Sequence, residues 1–502
     1  MDDVPNGAGA SADPRADEAA VAPELAAAAA AAARARLASF NSVDRHNLAA
    51  LSLTIQHIIS RAAHIAVDTE FTGLGSPELS RQKNIEDRYR ALVDVVRSHA
   101  LVAFGLAVFE KPDPRTRPTH YAVHSFQFSM LCRKEHKVSP SSMSFLIEHG
   151  FDFNAQIRHG IPYTPGNDVP DEPSADSNAI MRAIFNRIVA AKVPVVVHNG
   201  LLDAMFIYHS FYADLPAELS IFVSDMHDLF GSTGGFFDTK YISEFVSREP
   251  RTFLSYLFRK SEREEEVRKE TPGQSFITID AKQRIMHPAT RSSLSLAELG
   301  LVDNSYNSSR KGAGKKSDQK GQQQQQKGKQ GKPYCEVYAA HGFCSAYSKC
   351  PKSHDLDYIL DWEETELASK LTPKERDAAK LRRAKRKALA EAMSAASAPL
   401  AKRAATGHAG ALASGAAASG QVVDAPAAAA PAASFETYHS ACFDAFMTGY
   451  IFAHQQLRHA DIMTKHRNRV YLIGKPMALR IEQSPYSRTS QQHNDKRMKL
   501  GL

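Results

Sequence analysis

Long apolar runs and cysteines are both scarce in this sequence. The one long apolar run near the start, Ala26–Ala33, falls far short of the ~20 apolar residues that a membrane-spanning helix needs. The opening residues, MDDVPNGAGA, are acidic and lack the basic segment of a secretory signal. The chain has only five cysteines, and three of them lie close together at positions 335, 344 and 350. This pattern argues against a disulfide framework, and we expect a soluble intracellular protein without a membrane span.

Length and charge limit the number of domains and the kind of partner. The 502 residues leave room for two or three domains, and 43% hydrophobic residues are enough for a sizeable core. A formal net charge of +7 suits a polyanionic partner. A basic tail on a neutral enzyme would give the same charge, so charge alone does not identify the partner.

Alternating strand-like and helical segments predict an α/β domain that is interrupted by an insertion. The strand-like segments include Ala100–Glu110, Tyr121–Leu131 and Val193–His198. The pattern stops near residue 303 and resumes near residue 434. Composition divides the chain into a disordered Ala-rich start (1–43), two parts of the α/β domain (44–303 and 434–490), a flexible linker (304–332), a Cys/His-rich finger (333–357), a basic segment (374–392) and a low-complexity linker (395–433).

Two acids, Asp68 and Glu70, are spaced for one face of a strand. Residues two apart in a strand point the same way, and the flanking residues Ile65–Val67 and Phe71 are apolar. Adjacent carboxylates at the end of a buried strand are unfavourable unless a cation lies between them. Mg²⁺ prefers such oxygen ligands. The alternative is a solvent-facing strand end with two ordinary acids.

Two later segments supply further candidates. Asp203 lies in the first turn of a helix entered through the sequence HNG, where an acid also simply complements the helix dipole. Asp444 lies beside the apolar stripe of a later helix, and His439 precedes that helix or lies in its first turn, where a capping histidine is common. Together, four carboxylates can hold two Mg²⁺ ions about 3.5–4 Å apart, an arrangement that cleaves phosphodiester bonds. A histidine with a pKa near neutrality suits proton removal from the attacking water.

These five residues resemble the three motifs of the DEDD exonuclease superfamily in its histidine-bearing form. The flanking sequences VDTEFTGLG, EHGFDFN, GIPY, VVHNGLLD, FFDTKY and FDAFMTGY resemble the deadenylase branch, which includes Caf-type deadenylases and poly(A)-specific ribonucleases. The layout is similar to members of that branch that insert a CCCH finger and a basic segment between the second and third motifs. The Ala tract, the Gln/Lys-rich linker and the Ala-rich segment depart from that layout, but none of them touches the five positions.

The resemblance implies a fold, a site and an activity. The fold would be an α/β, RNase H-like mixed sheet flanked by helices, with the CCCH finger inserted. Asp68, Glu70, Asp203 and Asp444 would ligate two catalytic Mg²⁺ ions, and His439 would be the general base. The activity would be 3′→5′ removal of oligo(A) or short 3′ tails from single-stranded RNA ends.

A second cluster, Cys335-x8-Cys344-x5-Cys350-x3-His354, has the spacing of a CCCH zinc finger. Three thiolates and one imidazole fill the four positions of tetrahedral Zn²⁺, so we expect a structural zinc. The segment is too short for a core of its own, and the metal must therefore hold it together. The alternative is four unrelated residues in a loop.

The finger also carries side chains that could bind a ligand. Aromatic rings can stack on the bases of single-stranded RNA, and lysines can contact its phosphates. The candidates are Tyr334, Tyr338, Phe343, Tyr347, Lys332, Lys349 and Lys352. The competing use is protein contact, with the aromatics as a small core. On the RNA-binding hypothesis, Cys344→Ala weakens RNA engagement and leaves the carboxylate site intact.

The basic segment at 374–392 is helical in pattern and holds a dense cationic run, Lys380–Lys387 (KLRRAKRK). Nuclear localisation signals and RNA-binding helix faces have this composition, and a solvated helix is the plainer alternative. The family resemblance favours a nuclear signal. We therefore expect residence in the nucleus, with the nucleolus, Cajal bodies or nuclear speckles as sites within it.

Three functions remain open on the sequence. The first is a Mg²⁺-dependent exoribonuclease that matures noncoding RNAs such as small nuclear RNAs. The second is a catalytically weak RNA-binding adaptor with a nuclease-like fold, although this chain keeps all five motif residues. The third is a DNA exonuclease, which the finger and the flanking motifs disfavour. Besides RNA, nuclear RNA-processing proteins or a second copy of the chain are the expected partners.

Overall fold

The computed structural model describes residues 40–110, 119–167, 175–281, 332–346, 349–367, 371–396 and 440–500. Most of the predicted Ala-rich start, most of the two predicted linkers, Tyr347 and His439 lie outside these residues. The chain divides into two compact units, and each is described by itself. The larger comprises 35–293, 320–364 and 435–502, and the smaller comprises 1–34, 294–319 and 365–434.

The described residues form ten strands and a larger number of helices. In chain order the strands are β1 (Phe40–Val43), β2 (Ala62–Phe71), β3 (Leu101–Glu110), β4 (His120–Cys132), β5 (Ile161–Tyr163), β6 (Val195–Val197), β7 (Phe236–Asp238), β8 (Thr278–Ala281), β9 (Arg469–Val470) and β10 (Leu479–Arg480). The helices are α1 (Leu48–Ser60), α2 (Ile85–Ser98), α3 (Pro140–Glu148), α4 (Phe153–His159), α5 (Ala175–Ala190), α6 (Leu201–Phe211), α7 (Leu219–Met226), α8 (Leu254–Glu270), α9 (Glu336–His341), α10 (Leu356–Leu367), α11 (Pro373–Ala396), α12 (Ala441–Arg458), α13 (Ile462–Lys465) and α14 (Gln491–Leu500). Short helical turns lie at Leu79–Arg81, His227–Gly231, Thr239–Tyr241 and Ile242–Val246.

A mixed sheet organises the larger unit. Its strand order is β1-β4-β3-β2-β6-β7-β9-β10, and β5 and β8 both pair with β4. Antiparallel pairs join β2 to β3, β3 to β4 and β9 to β10, whereas the other pairs are parallel. The prediction of an α/β domain with a mixed sheet flanked by helices is therefore confirmed.

Helices cover both faces of this sheet because its central strands are apolar on both sides. Every residue of β3 is buried. One face packs against α1, α2, α5, α6 and α7, and the other packs against α8, α9, α10 and α12. Along β2, Ile65 and Val67 face the first set of helices and Ala66 faces the second. Strand alternation therefore places Asp68 and Glu70 on the face that α12 covers.

The first strand shows that order begins earlier than the sequence predicts. Phe40–Val43 lies inside the segment predicted to be disordered, yet it pairs in parallel with β4, from Phe40 opposite Ser125 to Val43 opposite Phe128. Both Phe40 and Val43 are buried. Burial of these apolar side chains stabilises the strand, and the Ala-rich composition just upstream conceals this signal.

The inserted Cys/His-rich segment and α10, which follows it, pack against the α/β domain. The side chain of Arg263 on α8 is only 5% exposed and contacts three acids of α10, namely Asp357 (2.8 Å), Asp361 (2.9 Å) and Glu364 (3.0 Å). Arg259 also donates two hydrogen bonds to the Asp357 carboxylate, at 3.1 and 3.0 Å. The described part of the insertion as far as Glu364 thus packs as part of the larger unit.

The smaller unit contributes α11, which contains the predicted basic segment. The Thr372 N–H donates to the Glu375 carboxylate at 2.8 Å, and the Glu375 N–H donates back to Thr372 Oγ1 at 3.4 Å. This reciprocal pair is a capping box that starts the helix. The predicted helix is confirmed, while its use as a nuclear signal stays a prediction. Neither α11 nor any other described helix has the length and apolar character needed to cross a membrane.

Replacing Arg263 by alanine tests how much the docking of α10 contributes to stability. The change leaves three carboxylates without their shared cation. We expect a loss of about 2–3 kcal/mol in the free energy of unfolding, below the 3–5 kcal/mol of a fully buried pair because these acids keep access to water. Urea unfolding measures it. The matched control is Arg90→Ala, since Arg90 pairs with Asp87 (3.0 Å) at an exposed surface position, and its loss should change stability by under about 0.5 kcal/mol. Equal effects of the two substitutions would contradict the importance of this contact.

Candidate active site

Three distant chain segments bring the predicted acids together. Asp68 and Glu70 come from β2, Asp203 comes from the first turn of α6, and Asp444 comes from the first turn of α12. Carboxylate oxygens of Asp68, Glu70 and Asp444 lie within 4.8 Å of one another. Asp203 contacts the same strand at Thr69, the residue between Asp68 and Glu70 in the sequence. Its Oδ1 accepts a hydrogen bond of 2.5 Å from the Thr69 hydroxyl. The structure therefore brings three of the four predicted metal ligands within reach of one ion and places Asp203 against Thr69 of the same strand.

The position of Asp444 follows from the packing of α12. The first turn of the helix is closed by a hydrogen bond from the Asp444 N–H to the Ser440 carbonyl (2.9 Å). Cys442, Phe446 and Ile451 are buried in the core between α12 and the sheet. Because Asp444 shares this inward side, the residue is only 8% exposed and faces the sheet rather than solvent.

The position of Asp203 depends on a buried acid that the sequence analysis missed. Asn199, just before α6, has a φ of 59°, a conformation that asparagine adopts more easily than most residues. The carboxylate of Asp238 accepts the N–H groups of Asn199, Lys240 and Tyr471, each at 2.9 Å. Asp238 thus joins the loop before α6 to two other segments. Its only sequence signal is its place at the end of the apolar pair in FFDTKY.

Burial and neighbouring negative charges disfavour the charged form of Asp68, Glu70 and Asp203. Burial raises the pKa of Asp68 well above its ordinary value, and the negative charges of Asp203, Asp444 and Glu70 raise it further. Burial also raises the pKa of Glu70, with Asp444 and Asp203 as the charged neighbours. For Asp203, burial raises the pKa to about 6, against the opposing effect of the Thr69 hydrogen bond. The site is therefore short of positive charge.

A divalent cation fits this site. In the described part of the chain, no ion pair with a basic side chain reaches Asp68, Glu70 or Asp203. The donor atoms are all carboxylate oxygens, which hard cations such as Mg²⁺ prefer. The oxygens are also close enough together for one ion to bridge several of them. The predicted general base, His439, lies outside the described residues, and its role stays a prediction.

The second predicted cluster is also assembled. The ligand atoms of Cys335, Cys344, Cys350 and His354 lie within 4.8 Å of one another. The Cys335 N–H donates to the Ser353 carbonyl (2.9 Å), which brings the first and last members side by side. Three sulfurs and one imidazole nitrogen at this separation match the donor set of tetrahedral Zn²⁺. The four residues are therefore close neighbours in the fold, which argues against the alternative of four unrelated loop residues.

Two of the four predicted stacking aromatics serve the fold instead. Tyr334 is 0% exposed and belongs to the same core as α12, so the prediction that it stacks on bases is wrong. Tyr338 is half-buried and stacks on the His354 ring with a centroid distance of 4.6 Å. Phe343 is 62% exposed and remains available, and Tyr347 lies outside the described residues. The competing interpretation, aromatics as a small core, holds for the first two.

The uncompensated negative charge of the carboxylate site predicts that the effect of Mg²⁺ on stability depends on pH. Because the pKa values are raised, the folded chain binds protons more tightly than the unfolded chain. Folding therefore becomes less favourable as the pH rises from about 4, where unfolded carboxyls ionise, past the pKa of about 6 of Asp203. A bound cation neutralises the ionised acids. We expect Mg²⁺ to raise the thermal midpoint by several degrees at pH 8 and by little at pH 5, measured by scanning calorimetry.

Asp444→Asn separates the effect of charge from the effect of shape. Removing one of the repelling carboxylates should make the metal-free protein about 1 kcal/mol more stable at pH 8, or roughly 2–4 °C in thermal midpoint, and should abolish the response to Mg²⁺. The control Asp461→Asn, at a more exposed acid, should keep the wild-type response. A metal-free Asp444→Asn protein that is less stable than wild type and still responds to Mg²⁺ would contradict this account.

The packing of Tyr334 predicts that the Cys/His cluster supports the whole larger unit. Cys344→Ala should lower the thermal midpoint of the main unfolding transition, because the finger and α12 share one core. This differs from the expectation that the carboxylate site stays intact. The control is Cys132→Ala, a half-buried cysteine outside the cluster. A separate early transition, with the main one unchanged, would show that the finger unfolds independently.

The chain is similar to several known ribonucleases. A model of the CAF1 family ribonucleases matches residues 43–179 and 165–452. The chain is 31% identical over 134 residues to the poly(A)-specific ribonuclease PARN of Xenopus laevis, which covers 24% of this chain and 21% of that protein. It is 29% identical over 121 residues to the poly(A)-specific ribonuclease PNLDC1 of Mus musculus, covering 22% of each. The matches thus span about a fifth of the length of these relatives.

Two solved structures are similar at low identity. The Mg²⁺- and Mn²⁺-bound form of S. pombe Pop2p is 20% identical with a TM-score of 0.34, covering 45% of this chain and 82% of that one. The RNase domain of yeast Pop2 is 16% identical with a TM-score of 0.32, covering 45% and 76%. The assignment rests on the family model, which spans most of the chain and includes all four converging acids. The chain belongs to the CAF1 ribonuclease family, within the DEDD superfamily.

Proposed function

We propose that this chain is a 3′→5′ exoribonuclease that removes oligo(A) and other short 3′ tails from RNA. One observation carries the proposal: acids from three distant segments meet at the end of β2, with carboxylate oxygens of Asp68, Glu70 and Asp444 within 4.8 Å of one another. Such a concentration of negative charge is unfavourable for folding unless bound cations neutralise it. The names of the relatives, poly(A)-specific ribonucleases, support adenosine as the preferred tail nucleotide.

Each acid has a distinct place in the proposed metal site. Two Mg²⁺ ions bound there would supply positive charge that activates the attacking water and stabilises the leaving 3′ oxygen. Asp68 and Glu70 offer their oxygens from one strand face, and Asp444 offers its own from the helix packed over that face. Thr69 fixes the direction of the Asp203 carboxylate through its hydrogen bond. His439 would accept the proton of the attacking water.

The proposed catalytic domain is RNase H-like. The five central strands lie in the order β4-β3-β2-β6-β7, and among them only β3 runs antiparallel to the rest. This arrangement leaves the end of the central strand, β2, open to residues from the helices on either side. It therefore supports a site built from β2, α6 and α12.

The Cys/His cluster is proposed to be a CCCH finger with a structural Zn²⁺. Four ligands would leave no open position on the metal, so the finger would contribute surface rather than chemistry. Exposed Phe343, Lys349 and Lys352 offer one ring for base stacking and two charges for phosphates. RNA contact through the finger would therefore rest on these three residues and not on Tyr334.

The cellular role is proposed from the basic helix and the family resemblance. The described side chains of α11 are mostly exposed, as a signal read by another protein requires. We propose nuclear residence and the maturation of noncoding RNAs such as small nuclear RNAs. Nuclear RNA-processing proteins or a second copy of the chain would be the partners.

The second candidate is a catalytically weak RNA-binding adaptor. The exposed Phe343 and its neighbouring lysines would suit it, because RNA binding at the finger needs no cleavage. It leaves the convergence of Asp68, Glu70, Asp203 and Asp444 without a use, and we therefore favour the enzyme.

Stepwise shortening of a labelled RNA tests the proposed activity. We expect 5′-labelled RNA with an oligo(A) tail to lose single nucleotides from its 3′ end in Mg²⁺ and to stay intact in EDTA. Asp68→Ala should lower the rate at least about a thousandfold, because several kcal/mol of transition-state stabilisation depend on the metals. The control Asp461→Asn should act like wild type. Shortening that persists in EDTA or in Asp68→Ala would refute the metal mechanism.

Matched substrates then separate the three functions. Oligo(U), oligo(C) and all-deoxyribose tails of the same length report base and sugar preference. Faster removal of oligo(A) than of the other RNA tails supports a deadenylase, equal rates on DNA indicate a general exonuclease, and tight binding without shortening indicates the adaptor.

A further inference from the structure

One row across three strands lies beneath the first turn of α12. Asp68 of β2 is paired in register with Gly105 of β3, and Gly105 is paired with Gln127 of β4. Residues directly opposite one another in neighbouring strands point to the same face of the sheet. The acid, the glycine and the amide therefore form a continuous row on the face that α12 covers.

Gly105 allows the backbone of α12 to touch the sheet. A Cβ atom at this position would lie 2.0 Å from the carbonyl oxygen of Ala441 and 2.6 Å from the backbone nitrogen of Cys442. Both distances are far below van der Waals contact, and both atoms belong to backbone, which cannot swing aside as a side chain can. Any larger residue would push the first turn of α12, and Asp444 with it, away from Asp68.

Gln127 fixes the same turn from the next strand. Its side-chain oxygen accepts the Cys442 N–H at 2.8 Å, and the residue is 9% exposed. The first N–H groups of a helix have no partner within it. Ser440, at the N-cap position, makes its side-chain contact with the Cys442 sulfur (3.9 Å) and does not cap a backbone N–H. A strand residue distant in sequence therefore supplies a cap to α12.

These contacts act at the very start of α12, whereas the core packing of the helix involves residues farther along it, such as Phe446 and Ile451. β8 ends at Ala281 and α12 begins at Ala441, so a short connection from the preceding strand does not set the start of the helix. Asp444 lies two residues beyond Cys442, within the same turn. The distance from Asp444 to the acids of β2 is consequently set by what the first turn rests on and binds.

We propose that Gly105 and Gln127 are positioning residues that set the separation between Asp444 and the Asp68–Glu70 pair, and hence the affinity of the site for divalent cations. This inference rests on the proposed metal site. It predicts that disturbing the row weakens cation binding more than it weakens the fold. Neither residue would touch the RNA or the metal.

Mn²⁺ titration of RNA-free protein by calorimetry tests the proposal. Gln127→Met keeps the length of the side chain and removes the acceptor, and Gly105→Ala adds the obstructing carbon. Gln455→Met is the matched control. Gln455 is a buried glutamine like Gln127, but it lies on α12, farther along the helix than Asp444. Its amide donates to the Thr239 carbonyl (3.1 Å) and to the Ser243 hydroxyl (2.9 Å). We expect at least about tenfold weaker Mn²⁺ binding, or about 1.4 kcal/mol, in both test variants and less than twofold change in the control.

Kinetics and stability distinguish positioning from a general loss of structure. The Mg²⁺ concentration for half-maximal activity should rise about tenfold in Gln127→Met while the KM for RNA changes less than twofold. The thermal midpoints of metal-free Gln127→Met and Gln455→Met should be similar. Wild-type Mn²⁺ affinity in Gln127→Met would overturn the inference alone, even if Gly105→Ala fails to fold. A wild-type protein that binds no Mn²⁺ would overturn the proposed metal site and this inference together.

Discussion

Repulsion among four carboxylates, three of them half-buried and Asp444 buried, is the constraint on which the rest of this structure depends. Burial and the neighbouring charges raise the pKa values of Asp68 and Glu70, and burial raises that of Asp203, so the fold holds these groups together against their own electrostatics. Marginally stable proteins retain such an arrangement where it serves binding or catalysis. On the proposed function, this cluster of acids is a preformed binding site for divalent cations in a chain of the CAF1 ribonuclease family.

Several contacts far apart in sequence keep the repelling acids in place. Thr69 binds the Asp203 carboxylate, and Asp238 joins the loop before α6 to two other segments. The first turn of α12 packs against Gly105 and donates a hydrogen bond to Gln127. On the outer side, α12 shares a core with α8 and with the finger, through Phe258, Phe446 and Tyr334. The proposed zinc site is thus linked by continuous packing to the helix that carries Asp444.

Sites that depend on short sequence patterns with a direct chemical meaning could be predicted from the sequence. The two-residue spacing of Asp68 and Glu70 and the spacing of the four Cys/His ligands each led to residues that the structure brings together. The alternation of strands and helices gave the fold class for the same reason, since periodicity reflects burial directly.

Residues whose role depends on a distant partner could not be predicted in this way. Asp238, Gly105 and Gln127 act through backbone groups that become their neighbours only after folding, so no local spacing marks them. The strand at Phe40–Val43 was hidden by Ala-rich composition, although pairing with β4 buries it. Tyr334 was misjudged because an aromatic beside a metal ligand is equally consistent with a binding surface and with a core. Only the packing of the finger against α12 decides between the two.

The central claim is that the four acids bind a pair of divalent cations. The most direct measurement is anomalous X-ray diffraction from crystals grown with Mn²⁺ and a short oligo(A). The account predicts two manganese peaks about 3.5–4 Å apart, both within coordination distance of the carboxylates of Asp68, Glu70, Asp203 and Asp444. Crystals that show no manganese among these four residues, or manganese only at other sites, would contradict it.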